Sequence, residues 1–363
     1  MIKVENIARQ VRDNCNISDA QHAGLYSICG LALRLRDLYK WEKGLPPWEE
    51  RDSSQILDWI EAREEIWESV ADSDYHPLAV NGRHYDPGDI EGINSVLEPE
   101  GLFYGAGYAY SLKPTFLLAR IDDKKNVNGH TVYNLGHELA RDLLTIPAFT
   151  QDTSIVLRQE AARLFLWDKM FYLKKSGRPA LAFALNSCGI KDHRTESLRE
   201  NLDGIFTAQK ETFVYHEIGE MRESVFDRTV WREVITAFPH TPIELLVRAI
   251  KDLLADTNEF GTLQFIVRER NPAALGLYVA FFDGLAKEIF PELRTSFDAF
   301  AKTKDWRIIE KAVAIGYATA KEHAEKIVSL FQAGKQKDDM KWTKKEIANQ
   351  LLCKILKKSG PSE

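Results

Sequence analysis

The chain has 363 residues, 44% of them hydrophobic and 28% charged, with a formal net charge of −6 and an isoelectric point near 5.9. This length favours two domains, and an acidic chain is not typical of a protein that binds nucleic acid over its whole surface. No apolar run approaches the length of a membrane span, and the N-terminus lacks the apolar core of a signal peptide. The four cysteines are dispersed without a CxxC pair, so we expect reduced thiols in a cytoplasmic protein.

The first part of the chain combines helical patterns with short β signals. Apolar residues recur at helical spacing over about 25–39 and again over 53–70. Two Asn-Gly pairs, Asn81-Gly82 and Asn128-Gly129, each separate short apolar runs, which is the pattern of a β-hairpin. We therefore predict a small antiparallel β-hairpin region at about residues 75–135, inserted in a helical domain.

Three further stretches complete the predicted first domain. The glycine- and tyrosine-rich sequence GLFYGAGYAYSLKP, which starts at Gly101, is predicted to be a loop, and GHELARD, from Gly136, is predicted to begin a helix. A strong helical pattern then runs from Ser154 to Lys175. The polar stretch KDHRTESLREN indicates a domain boundary near residue 192, which gives a first domain of residues 1–192.

The second predicted domain, residues 193–334, is a helical bundle. Its clearest helix, about 304–333, keeps apolar residues three and four positions apart through about seven turns. A tether and a basic amphipathic helix at 343–358 follow in the tail 335–363, which carries eight lysines against four acidic residues. Such a helix can bind an acidic partner, RNA or a membrane surface, and docking on its own chain is the favoured alternative. The fold class predicted is thus mainly α, with two domains.

The stretch FVYHEIGEMRE, residues 213–223, is the candidate functional site. In the zinc-hydrolase pattern HExxH, two histidines four residues apart share a helical face, and the glutamate between them acts as general base. The four residues His216 to Gly219 resemble the HEIGH motif of a peptidase family that includes regulators cleaving repressors. That resemblance implies a metal ligand at His216 and a base at Glu217, but Glu220 stands where the second histidine belongs.

On a helical wheel of this segment, one carboxylate lies on the apolar side. Glu217 falls within the apolar stripe, Glu220 at its edge and His216 beside it. A buried carboxylate costs several kcal/mol unless it is paired, protonated or bound to a metal. Two interpretations follow: a site for iron, manganese or zinc between helices, or a structural ion pair. Arginines that could form the ion pair are Arg222, Arg248 and Arg268.

A second helix could supply further metal ligands. On the helix predicted from Ser154, Glu160 and Asp168 flank the centre of the apolar face. Further possible ligands are the pair His137-Glu138, near a predicted helix start, and Asp256 and Glu259, which lie between predicted helices. At both places a structural role is favoured, because acidic residues complement a helix N-terminus or serve as caps.

The functional hypothesis is therefore a cytoplasmic protein that binds a metal ion or small molecule, with Glu217 as ligand or general base. The metal ligands expected are His216, Glu217, Glu220, Glu160 and Asp168. The alternative is a non-catalytic scaffold protein whose basic helix 343–358 recruits a protein partner, with the Glu/His cluster as an ion-pair network. Nucleic acid is not an expected partner.

Overall fold

The computed structural model describes residues 3–109, 113–226 and 228–358, except for the side chains of Arg228, Lys357 and Lys358. The chain forms two units, one ending at Asp168 and one beginning at Lys169. The polar stretch near residue 192, where the sequence indicates a boundary, connects two helices of the second unit. Residues 359–363 of the predicted basic tail lie outside the described residues.

The first unit combines helices with two sheets. Its elements are α1 (Val4–His22), α2 (Ile28–Glu42), α3 (Ser53–Val70), β1 (Leu78–Val80), β2 (Arg83–Tyr85), α4 (Ile90–Leu97), β3 (Leu102–Ala109), β4 (Lys113–Val127), β5 (His130–Arg141), β6 (Ala148–Gln151) and β7 (Ser154–Arg158), followed by the start of α5 (Gln159–Phe171). β1 and β2 form a two-stranded hairpin. The other five strands form one mixed sheet in the order β3-β4-β5-β7-β6, in which only β5 and β7 are parallel.

The five-stranded sheet curls until its two edge strands approach each other. Gln151 of β6 accepts a hydrogen bond from the Ala106 amide of β3 (3.2 Å) and donates one to the Tyr104 carbonyl (3.2 Å). Gly105 suits this approach, because a Cβ there would lie 3.2 Å from the Phe149 ring, which is a tight contact. The sheet is therefore a half-barrel whose edges are linked by a side chain.

The prediction of a merely small, antiparallel hairpin region at 75–135 is wrong. Both Asn-Gly pairs do form the expected turns, with positive φ angles at Asn81, Gly82, Asn128 and Gly129. However, the stretch predicted as a glycine-rich loop contains β3. Residues 136–141 of GHELARD form the end of β5, and residues 154–158 form β7 instead of opening a helix. These segments become strands because they pair with strands distant in the sequence. Such pairing does not require a local alternation of apolar and polar residues, so the sequence pattern does not indicate it.

The inside of the first unit contains a fully buried ion-pair network. The Lys113 ammonium lies 2.9 Å from Asp19 Oδ1 of α1 and 3.0 Å from Asp142 Oδ2, which follows β5. A second pair lies in the same sheet, where Arg158 of β7 donates two hydrogen bonds, of 2.7 and 2.8 Å, to Glu138 of β5. All of these side chains are at most 3% exposed, so each charge depends on its partners for stabilisation.

In the part of the chain that the structure describes, the second unit is helical. Its helices are α6 (Arg178–Ser187), α7 (Thr195–Glu200), α8 (Leu202–Arg222), α9 (Arg228–Ala237), α10 (Pro242–Thr257), α11 (Thr262–Arg268), α12 (Pro272–Phe281), α13 (Gly284–Ile289), α14 (Glu292–Thr303), α15 (Trp306–Gln336), α16 (Met340–Ile347) and α17 (Cys353–Lys358). A π-helical segment, Ala348–Leu352, joins the last two. α10 lies at the centre of this unit and packs against α8 and α15.

The crossing of α8 and α10 depends on a glycine. At Gly219, a Cβ would lie 2.0 Å from the Ala255 carbonyl oxygen of α10, so only glycine allows the two backbones to approach this closely. The Asn258 side chain, just beyond α10, also donates a hydrogen bond to the Gly219 carbonyl (2.9 Å). The polar residues one turn along either helix are consequently brought face to face.

The basic C-terminal segment packs on its own unit. Ile347, Leu351 and Ile355 are 0%, 5% and 4% exposed and belong to the main apolar core of the second unit. These three apolar residues of the predicted amphipathic helix thus pack against this chain, whereas Leu356 of the same helix is 50% exposed. No described helix combines the length and apolarity needed to cross a membrane.

Candidate functional site

Two pairs of polar residues with helical spacing face each other where α8 and α10 cross. His216 and Glu220 are four residues apart on α8, and Asp252 and Asp256 are four residues apart on α10. One ligand atom from each of His216, Glu220 and Asp252 lies within 4.8 Å of the other two. An imidazole nitrogen and two carboxylate oxygens therefore converge from two packed helices.

The His216 ring is oriented by a chain of hydrogen bonds. Its Nδ1 lies 2.9 Å from Asp256 Oδ1, and the Tyr278 hydroxyl of α12 donates to Asp256 Oδ2 at 2.8 Å. With Nδ1 donating to Asp256, Nε2 faces Glu220 Oε1 at 3.6 Å. A carboxylate that holds one nitrogen of a histidine while the other faces the ligands is the arrangement found behind metal-bound histidines.

Charges in the cluster are balanced by strong local interactions. Burial alone would lower the pKa of the His216 imidazole, but the carboxylates of Asp256 and Glu220 raise it well above its usual value. Against the effect of burial, His216 and Lys251 hold the pKa of Glu220 down to about 2. The Lys251 ammonium forms an ion pair with Glu220 Oε2 and lies 4.8 Å from the centre of the Trp231 ring.

Asp252 is the most solvent-exposed member of the convergent group. The pKa of its carboxyl is nevertheless raised to about 6, chiefly by desolvation, with His216 opposing the shift and Glu220 adding to it. Of the two carboxyl groups in the convergent group, Asp252 is the one with a raised pKa, so it loses its proton after Glu220.

Of the residues expected from the sequence, His216 and Glu220 lie together in this cluster. Glu217 is half-buried on the adjacent part of α8, and it is outside the convergent group found among the described residues. Glu160 and Asp168 belong to the first unit and have partners there. Glu160 lies 3.0 Å from His137 Nδ1, and Asp168 forms an ion pair with Arg36 at 3.0 Å.

Three members of the site were not among the expected ligands. Asp252 has no sequence signal beyond its spacing from Asp256, and the place of Asp256 between predicted helices favours a cap, with a ligand as the alternative. Tyr278 lies on α12, far from both pairs in sequence. The usable signal was the matching four-residue spacing of acids on α10, which resembles that of His216 and Glu220 on α8.

Two family models match consecutive parts of the chain. Residues 6–158 match the N-terminal domain, and residues 163–350 the C-terminal domain, of a family of unknown function called DUF6866. The chain belongs to the DUF6866 family. The matches fit the two-unit architecture, and the His216 cluster lies within the DUF6866 C-terminal domain. No curated protein and no solved structure is significantly similar to this chain.

Proposed function

We propose that the DUF6866 C-terminal domain binds one divalent metal ion between α8 and α10. The ligands are His216 Nε2 and one carboxylate oxygen each from Glu220 and Asp252, and Asp256 holds the imidazole in place. The observation that carries the proposal is the convergence of these three ligand atoms within 4.8 Å. One imidazole with carboxylates suits zinc, iron or manganese, the metals expected from the sequence.

The spacing of the cluster is compatible with such an ion after a small adjustment. Metal–ligand bonds of about 2.1 Å hold neighbouring ligand atoms about 3.4 Å apart in a tetrahedral site. The ligand atoms, now within 4.8 Å of one another, would close by up to about 1.4 Å, which a change of side-chain torsion provides. Three protein ligands leave at least one coordination position for water, as in metal sites that exchange ligands or act in catalysis.

Metal binding competes with the protons and the cation that now balance the cluster. His216 must lose a proton before Nε2 can bind a metal, and its raised pKa makes this step costly at neutral pH. Affinity should therefore increase as pH rises through the raised pKa of His216. Lys251, paired with Glu220, opposes a second positive charge nearby.

Elemental analysis of protein purified after growth with added iron, zinc and manganese tests this function. About one metal per chain is expected in the wild type and in Glu217→Gln, and much less in His216→Gln and Asp252→Asn. Glu217→Gln is the matched control, because Glu217 lies on the same helix and outside the convergent group. Loss of metal in the control would make Glu217 a ligand, as its place in the apolar stripe of the helical wheel suggests, and would overturn the ligand set.

A second candidate function has its own supporting observation. Glu220 is held by both His216 and Lys251, so the cluster already forms a charge-balanced network without an added ion. In that case the cluster holds helices in register, and the protein is a non-catalytic scaffold. Absence of metal from the wild type, after growth with all three metals, would favour this function over the first.

A further inference from the structure

A groove of about 390 Å³ opens on the second unit, where the end of α8, the α10–α11 connection and α15 meet. We call it the Tyr317 groove; its walls include Arg222, Glu223, Asn258, Glu259, Phe260 and Tyr317. Its volume is within the range of small-molecule sites. None of the three proposed metal ligands lines it, so the groove is a feature separate from the metal cluster.

Two polar residues of the groove, Asn258 and Glu223, are linked to each other and to the backbone by hydrogen bonds. Asn258, which is 6% exposed, donates to Gly219 O and, at 3.4 Å, to Glu223 Oε2. Glu223 Oε1 accepts hydrogen bonds from the backbone amides of Ser224 (2.9 Å) and Val225 (2.7 Å). Neutral donors thus hold the Glu223 carboxylate in position. They do not neutralise its negative charge.

The charge of the groove favours a cation. Among the described residues that line it, Arg222 is the one cation, against the carboxylates of Glu223 and Glu259. Neither carboxylate forms an ion pair within the part of the chain that the structure describes. Partial burial raises the pKa of the Tyr317 hydroxyl, and the charges of Glu223, Glu259 and Glu325 add to the rise.

The aromatic wall already holds a positive group. The Arg222 guanidinium lies over the Phe260 ring, 5.5 Å from its centre. A ring face next to carboxylates is a known binding surface for ammonium and guanidinium ions. Arg222 therefore occupies, from within the chain, a position that suits a ligand cation.

We propose that the Tyr317 groove binds a small primary ammonium ion carried on a short apolar stem. The ammonium group lies between Glu259 and Glu223 within reach of the Tyr317 hydroxyl, and the stem lies against Phe260. Arg222 competes with the ligand for the ring and for the carboxylates. The same chemistry is offered by a free amine and by the lysine side chain of a peptide.

Ligand-observed NMR with the full-length protein tests the proposal. The probes are n-pentylammonium, pentanoate and 1-pentanol, which share a stem and differ in charge, together with N-acetyl-lysine methylamide. Pentylammonium is expected to bind and the other two pentyl compounds are not. Stronger binding of the lysine derivative than of pentylammonium would identify a peptide as the source of the cation, and weaker binding a free amine.

Two substitutions of exposed residues give effects of opposite sign. Glu259→Gln should weaken pentylammonium binding about threefold to tenfold, because one carboxylate is lost. Arg222→Gln should strengthen it severalfold by removing the competing cation. Glu310→Gln, an exposed glutamate on α15 away from the groove, is the control and should change nothing.

Several outcomes would overturn the proposal. Binding of pentanoate, weakened by Arg222→Gln, would make the groove an anion site. Equal binding in all variants would show nonspecific attraction to an acidic protein, and lack of binding by every probe would exclude an ammonium site. None of these outcomes bears on metal binding, because the substitutions leave His216, Glu220 and Asp252 unchanged.

Discussion

Substitution of Gly219 by alanine tests the geometry on which the candidate site depends. The added Cβ would lie 2.0 Å from the Ala255 carbonyl oxygen, whereas ordinary contacts begin at 3.4 Å, so the helices must separate by about 1.4 Å. The obstructing atom belongs to the backbone of α10 and cannot rotate away. Separation moves His216 away from Asp256, whose 2.9 Å hydrogen bond orients the ring.

The expected destabilisation follows from three contributions. Overpacking a close helix contact costs about 1–3 kcal/mol. Weakening a hydrogen bond between charged partners adds about 1.5–3 kcal/mol. The higher helix propensity of alanine offsets about 1 kcal/mol of this destabilisation. The net loss in the free energy of unfolding is about 1.5–5 kcal/mol, and metal affinity should fall with it because the ligand atoms move apart.

Urea unfolding of the full chain, followed by circular dichroism, measures the free energy, and calorimetric titration with zinc measures the affinity. Gly204→Ala is the matched control, because Gly204 lies on the same helix and nothing is within 4 Å of an added Cβ. This control should stabilise the protein by about 0.5–1 kcal/mol. If both variants were equally stable and bound zinc equally, the close α8–α10 crossing would not organise the site.

Three other predictions concern buried charges. Lys113→Met should cost about 3–5 kcal/mol in the free energy of unfolding, because it strips two buried carboxylates of their cation. Exposed Lys124→Met on the same strand should cost at most about 1 kcal/mol, and equal losses in urea unfolding would contradict this account. Burial raises the pKa of Asp19 from 3.8 to about 7, so this group's contribution to stability is lost as pH rises across that interval. In Asp19→Asn, thermal stability should no longer show this loss as pH rises. An unchanged pH dependence of thermal unfolding would refute the assignment of the loss to Asp19. Lys251→Met should raise metal affinity about tenfold, because the cation that pairs with Glu220 is gone, and a fall in calorimetric affinity would count against the proposed site.

The sequence predicted those elements whose pattern is local. The helical character of the second unit and the Asn-Gly turns depend on nearby residues, and both are present in the structure. The half-barrel was missed because its strands are defined by partners far away in the chain. β7 follows β6 and yet pairs in parallel with β5, and Gln151 links β6 to β3 across the curl.

The candidate site was predictable only on one helix. The four-residue spacing of His216 and Glu220 is visible in the sequence, and it places both on one face of α8. The close crossing of α8 and α10 at Gly219 and Ala255 places α10 opposite His216 and Glu220. No sequence pattern encodes that pairing of helices. Asp252 and Tyr278 could therefore be assigned only from the packed structure.

The central claim is that His216, Glu220 and Asp252 bind one metal ion. An anomalous difference map, from crystals grown with zinc and recorded on both sides of the zinc absorption edge, tests it most directly. The account predicts one strong peak about 2.0–2.2 Å from His216 Nε2 and from one oxygen each of Glu220 and Asp252. Lack of a peak there, with Lys251 still paired to Glu220, would contradict the claim and leave the cluster as a structural ion-pair network.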